Sequence, residues 1–193
     1  MTNRLLKGAH LSERKCREII HLFREDLNAT QIAHVTHVSR ITVNSYLKKI
    51  RMAIAAHNLP AQLINSQDTV NGQESPLLYG VFRNYKRIQI IPLQGYEIGA
   101  LEEIHRLYPE MHAVIDFGNW RLHRLDNNLH ANGSPAMDEI SGFWGWIKSR
   151  LQKFRGLHRN TIYLHVKESE FRYNHRDDSM EDHLQRLLFA NDY

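Results

Sequence analysis

Apolar residues recur at helical spacing through the first fifty positions, and that period stops at Leu59-Pro60 and the polar run from Asn65 to Ser75. Beyond this run, Leu77 to Phe82 and Arg87 to Ile91 are β-rich, and a Pro follows the second of them. A change of period across a polar, proline-marked stretch separates two folding units. The chain is therefore expected to comprise a helical head over residues 1–57, a linker over 58–76 and an α/β body over 77–193. With 193 residues and 42% hydrophobic content, it has enough apolar surface to form real cores.

Charge follows the same division. The head carries ten Lys/Arg against four Asp/Glu, a net of +6, whereas the remainder carries fifteen against seventeen, a net of −2. A basic head on a near-neutral body suits a polyanionic partner. No apolar run reaches the roughly 20 residues that span a bilayer, and Met1 to His10 lack the apolar segment of a secretion signal, so a cytoplasmic protein with no membrane partner is expected. The single cysteine, Cys16, excludes an internal disulfide and a Cys-rich zinc ribbon; its spacing with Ile20 and Phe23 makes it a core thiol.

Within the head, Ser12 reads as the N-cap of a helix bearing Cys16, Ile19, Ile20 and Phe23 on one face. Asn28 or Thr30 caps a short second helix through Gln31, Ile32 and Ala33. Ser39 caps a third, whose Val43, Leu47 and Ile50 recur at i, i+4 and i+7. Three helices so spaced are expected to form a helix-turn-helix. On the third, Arg40, Asn44, Ser45, Lys48 and Lys49 turn away from the core and are the residue types that donate to base edges and phosphates. His34 and His37 have ligand-like spacing, but no third ligand is near in sequence, and they read as packing or exposed residues.

The body opens with the Leu77–Phe82 and Arg87–Ile91 hairpin. A helix from about Gly99 to Tyr108 follows, then a short strand, Ala113 to Ile115, delivering Asp116. A polar loop from Asp126 to Pro135 leads into a helix from about Met137 to Arg155, whose Phe143, Trp144, Ile147, Leu151 and Phe154 form a docking stripe. Another helix spans about Asn160 to Asn174, and an amphipathic stretch through Leu184, Leu187 and Leu188 closes the chain. This order predicts a mixed sheet. Lys148, Arg150, Lys153, Arg155 and Arg159 form a basic cluster able to meet phosphates or simply solvent.

Two segments carry a resemblance. Phe143-Trp144 with Lys148 four residues on, followed by Tyr163-Leu164-His165-Val166-Lys167-Glu168-Ser169-Glu170-Phe171-Arg172-Tyr173-Asn174, resembles the C-terminal end of the ISXO-like bacterial insertion-sequence transposases, relatives of the eukaryotic Merlin elements. The resemblance implies a ribonuclease-H-like body with a mixed sheet. It also implies double-stranded DNA as partner, both transposon ends and target, bound by a homo-oligomer in the bacterial nucleoid. The implied chemistry is metal-dependent strand cleavage and transfer, in which three acidic side chains hold two Mg²⁺ (or Mn²⁺) ions about 4 Å apart on a phosphate.

Carried over position by position, the acids map unevenly. Asp116 matches the family's second acid; otherwise it is a strand-end turn residue. Asp68 is the candidate for the first, although the Glu-Ser that follows that acid in the family is absent, and a linker turn is its other role. Ser141 stands where the third acid, Glu, belongs before Phe-Trp. At 100° per residue, Asp138 lies on the side of Ser141 and Lys148, whereas Glu139 points away, so Asp138 is the substitute acid unless it serves as the helix N-cap. Lys148 is the expected DNA contact of this helix. The sequence thus supports a transposase using Asp68, Asp116 and Asp138, or else a catalytically decayed derivative that retains DNA binding alone.

Overall fold

A computed structural model describes residues 11–57, 77–125, 135–154 and 159–189. The chain divides into two compact units, one formed by Met1–Leu59 with His175–Tyr193 and the other by Pro60–Asn174. The C-terminal helix therefore groups with the head.

The first unit contains α1 (Glu13–Arg24), α2 (Ala29–Thr36), α3 (Arg40–His57) and α7 (Met180–Phe189). Each start is fixed by a side chain. Ser12 accepts from the Lys15 amide, and Asn28 accepts from the Thr30 and Gln31 amides while Gln31 accepts from the Asn28 amide, a reciprocal capping box. Ser39 Oγ accepts from the Thr42 amide at the head of α3. Between α2 and α3 the chain turns through His37, at φ 55°. Lys15 Nζ donates to the carbonyl of Thr36 at 2.8 Å and so ties α1 to the end of α2. Cys16, Ile19, Phe23, Ile32, Val43, Leu47, Ile50 and Ile54 are buried as the periodicity requires, and Cys16 is a core thiol outside any disulfide. α7 lies against α1 and α3, with Leu184 fully buried and Glu181 paired to Arg24 at 2.7 Å.

The second unit is α/β. Strands β1 (Leu78–Asn84), β2 (Arg87–Pro92), β3 (Ala113–Asp116) and β4 (Arg121–Arg124) form a sheet in the order β2-β1-β3-β4. Every adjacent pair is antiparallel, which corrects the expected mixed sheet. Connectivity is the reason. Tight turns at Tyr85-Lys86 and at 117–120 reverse the chain, and α4 (Leu101–Leu107) returns it to the far side of β1 rather than beside a parallel neighbour. β4 was not anticipated, because its Arg-Leu-His-Arg sequence carries a single apolar residue. Pro92 ends β2 opposite Tyr79, a position an edge strand tolerates.

Strand alternation sorts side chains onto two faces. Leu78, Phe82 and Val114 pack with Leu93, Ile104, Met111 and Leu125 toward α4. On the opposite face Arg83 reaches α5 (Pro135–Gln152), where its Nε meets Glu139 Oε2 at 2.6 Å. The stripe expected on this helix is buried at Phe143, Ile147 and Leu151.

Helix α6 (Arg159–Asn174) solves a separate problem. β2 is an edge strand, so the outward amides and carbonyls of Ile88 and Ile90 lack a strand partner. Three side chains of α6 take its place. Asn174 accepts from Ile88 N at 2.8 Å and donates to Ile88 O at 2.7 Å; Glu170 accepts from Ile90 N at 3.0 Å; Lys167 Nζ donates to Ile90 O at 3.2 Å. Spacings of three and four residues put Lys167, Glu170 and Asn174 on one helix face, so their order follows the residue spacing of the strand they meet. Lys167 and Glu170 also bond each other at 2.5 Å. Burial pushes the Glu170 carboxyl above its usual range, opposed by Lys167 and by the Ile90 amide.

Removing one member of this buried pair strands the other. Glu170→Gln leaves the Lys167 ammonium without its countercharge and should lower the unfolding free energy by about 3–5 kcal/mol. Glu170→Gln combined with Lys167→Met should lose less than Glu170→Gln alone. Denaturant melts that rank the double variant below the single one would contradict this account of the edge.

Candidate functional site

Asp116 ends the fully buried strand β3 and is itself only 3% exposed. Its Oδ1 accepts from the amides of Gly118 at 2.8 Å and Asn119 at 3.1 Å, and its Oδ2 accepts from Asn119 Nδ2 at 2.8 Å. The carboxylate thereby builds the turn that launches β4, with Trp120 at φ 53° completing it. Three of roughly four lone-pair directions are spent on that turn. Across the sheet its register partners are Leu78 on β1 and Arg121 on β4, so neither neighbouring strand sets a second carboxylate beside it.

Asp116 shares the alternation of Val114 and Leu78, which places it on the α4 face. Arg124, opposite Ala113, belongs to the other face and donates from Nη2 to Ser141 Oγ at 3.3 Å. Ser141, at the position where the resemblance expects Glu, thus meets a guanidinium on the α5 side. The approach of α5 to the end of β3 is aromatic: Phe117 lies edge-on to Tyr79, Trp120 and Trp144 at centroid distances of 5.4, 5.6 and 6.1 Å.

Asp138 is exposed in the first turn of α5, three residues inside the helix start at Pro135. Its charge there complements the helix dipole. Glu139 points away from Ser141 as the helical angle requires, toward Arg83. Lys148 is half-buried with its ammonium 5.8 Å from the Trp144 ring, which leaves it on the α5 surface and able to reach an anion. Asp68 lies outside the described residues. Among the described residues, the single group of three or more His, Cys, Asp or Glu ligand atoms near one another is His175, Asp178 and His183, which contains none of the three acids.

Arg150 overturns one expectation. Placed by sequence in a basic cluster facing phosphates or solvent, it is 2% exposed and bonded to Glu168 at 2.5 Å and Ser169 Oγ at 2.8 Å, with Arg172 also on Glu168 at 2.8 Å. Its position one turn beyond Ile147 on the packed side of α5 is the reason. Together with the α6 contacts to β2, this means that the Lys-Glu-x-Glu-x-Arg-x-Asn segment acts as internal scaffolding, and its charges face protein.

In the head, Arg40, Asn44, Ser45 and Lys48 are exposed on α3, and Ile41, 84% exposed, lies among them. At 100° per residue these five span about 140°, opposite the buried Val43, Leu47 and Ile50. Lys49, on the margin of this face, is half-buried with its ammonium 5.8 Å from the Tyr46 ring. α3 contains no acidic residue. His34 and His37 are both exposed. No described helix is long and apolar enough to cross a membrane.

No protein-family model matches the chain, and no solved structure matches it. Among curated proteins it is similar to an uncharacterized transposase-like protein of Haemophilus influenzae, with 31% identity over 65 residues, 33% of this chain and 53% of that protein. The chain thus spans about half the length of this relative. The similarity supports a transposase-related family.

Proposed function

We propose that this protein is a transposase-derived DNA-binding protein whose α1–α3 head is a helix-turn-helix that places α3 in the major groove. The observation that carries the reading is the acid-free exposed face of α3, where Arg40 and Lys48 supply phosphate or guanine contacts, Asn44 suits adenine, and Ile41 offers an apolar surface to a thymine methyl. Among the described residues, Ile41 is the most solvent-exposed large aliphatic side chain of α3, at 84%. The transposase-like relative supports DNA as the partner class.

Strand cleavage and transfer through Asp68, Asp116 and Asp138 with Mg²⁺ or Mn²⁺ is the second reading, motivated by the position of Asp116 at the end of β3. The described residues around Asp116 weigh against a two-metal centre there. Its oxygens are occupied by the Gly118 and Asn119 donors, its cross-strand neighbours are Leu78 and Arg121, and Ser141 lies on the other face beside Arg124. A second divalent ion needs hard oxygen ligands that the described residues around Asp116 do not provide. Binding without cleavage is the favoured function.

Two measurements test these readings. On duplex DNA carrying the element's terminal repeat, Arg40→Ala/Lys48→Ala should weaken binding at least tenfold and make the slope of log K against log salt shallower by about 2, as two counterion-releasing contacts vanish. Asn44→Ala should cost about 1–3 kcal/mol of discrimination at a single base pair. Salt dependence identical to wild type in the double variant would remove α3 from the interface. In a nicking assay with Mg²⁺ or Mn²⁺, wild type and Asp116→Asn should both leave the DNA intact while binding it equally; metal-dependent nicking by wild type that Asp116→Asn abolishes would establish the strand-transfer reading instead.

A further inference from the structure

Immediately beyond α6 the chain turns through residues 175–178, and Ser179 Oγ caps α7 by accepting from the Asp182 amide at 3.4 Å. This turn and the first turn of α7 bring His175, Asp178 and His183 together. His175 Nδ1 and His183 Nε2 each lie 3.8 Å from Asp178 Oδ2, and one ligand atom from each residue falls within 4.8 Å of the others. The two imidazoles overlap, with ring centroids 3.8 Å apart and planes tilted by 36°. His175 and His183 are mostly buried, at 11% and 26% side-chain exposure, while Asp178 is 58% exposed.

We propose that His175, Asp178 and His183 form a binding site for a divalent transition-metal ion of the Zn²⁺ class. A donor set of two imidazole nitrogens and one carboxylate oxygen matches Zn²⁺ and its borderline neighbours, and is a poor match for Mg²⁺, which favours oxygen ligands throughout. Bond lengths of about 2.0–2.2 Å in a tetrahedral site set neighbouring ligand atoms about 3.3 Å apart. The two Asp178–imidazole separations of 3.8 Å exceed this by half an ångström and the imidazole donors lie within 4.8 Å of each other, so binding an ion draws both the exposed Asp178 side chain and the rings inward.

Three protein ligands leave a fourth position for water. The ligands come from the turn and from α7 within one compact unit, so the ion would clasp the 175–179 turn onto the start of that helix. This site uses none of Asp68, Asp116 and Asp138 and no residue of the exposed face of α3, and it stands whether or not the protein cleaves DNA.

The test uses the full chain, stripped with chelator and titrated with Zn²⁺ by calorimetry, with Co²⁺ as a spectroscopic substitute. One equivalent should bind, and Co²⁺ should produce visible d–d bands. His175→Ala and His183→Ala should each weaken Zn²⁺ binding by about 100-fold, and Asp178→Asn by about tenfold or more. His34→Ala/His37→Ala, which alters the other closely spaced histidine pair, should bind as wild type does. Because an alanine variant can fail to fold, imidazole resonances of the wild-type protein provide a second readout: Zn²⁺ should shift those of His175 and His183 first, with Mg²⁺ shifting neither. Absence of a stoichiometric Zn²⁺ site in the wild type, or retention of that site in the folded His175→Ala and His183→Ala variants, would overturn the proposal.

Discussion

The body depends on how the open edge of β2 is closed. An edge strand exposes a row of unpaired amides and carbonyls, and here α6 answers them with side chains instead of backbone: Lys167 and Glu170 at Ile90, Asn174 at Ile88. The arrangement demands charged and amide groups inside a core, which in turn demands that each be paired. The Lys167–Glu170 ion pair and the Arg150–Glu168–Arg172 group meet that requirement. Such networks add little net stability over an apolar core, but breaking one is costly, so they fix the register of α6 on the strand and of α5 on α6.

This accounting changes what the segment from Tyr163 to Asn174 means. Its density of charge invites a reading as a binding or catalytic surface, yet Lys167, Glu168, Ser169 and Glu170 are all nearly inaccessible to solvent. In this chain the segment seals a sheet edge. Asp116 tells a similar story on a smaller scale, because a carboxylate at the end of a buried strand is as useful for shaping the 117–120 turn as for holding a cation. Function has to be sought where polar groups remain directed at solvent, and in the described residues the face of α3 is the clearest such surface.

The sequence by itself determined the parts whose signals are local. Helix periods and caps placed the starts of α1, α2 and α3 within a residue or two, because Ser12, Asn28 and Ser39 bond to amides only two or three positions away. The hairpin, β3, the stripe of α5 and the burial of Cys16 were legible for the same reason: each rests on alternation or on 3.6-residue spacing. The exposed face of α3 followed directly from its buried one.

Tertiary structure decided everything that depends on which elements become neighbours. No periodicity reveals that β3 pairs with β1 to make an antiparallel sheet, that the mostly polar β4 is held in place by β3, or that Arg150 faces Glu168 and Ser169 instead of solvent. The convergence of His175, Asp178 and His183 was equally hidden, since a turn and a helix start bring together three residues whose spacing matches no single helical face. Local hydrogen bonds are written in adjacent residues, whereas the pairing of a buried charge is settled only when the chain brings a distant partner against it.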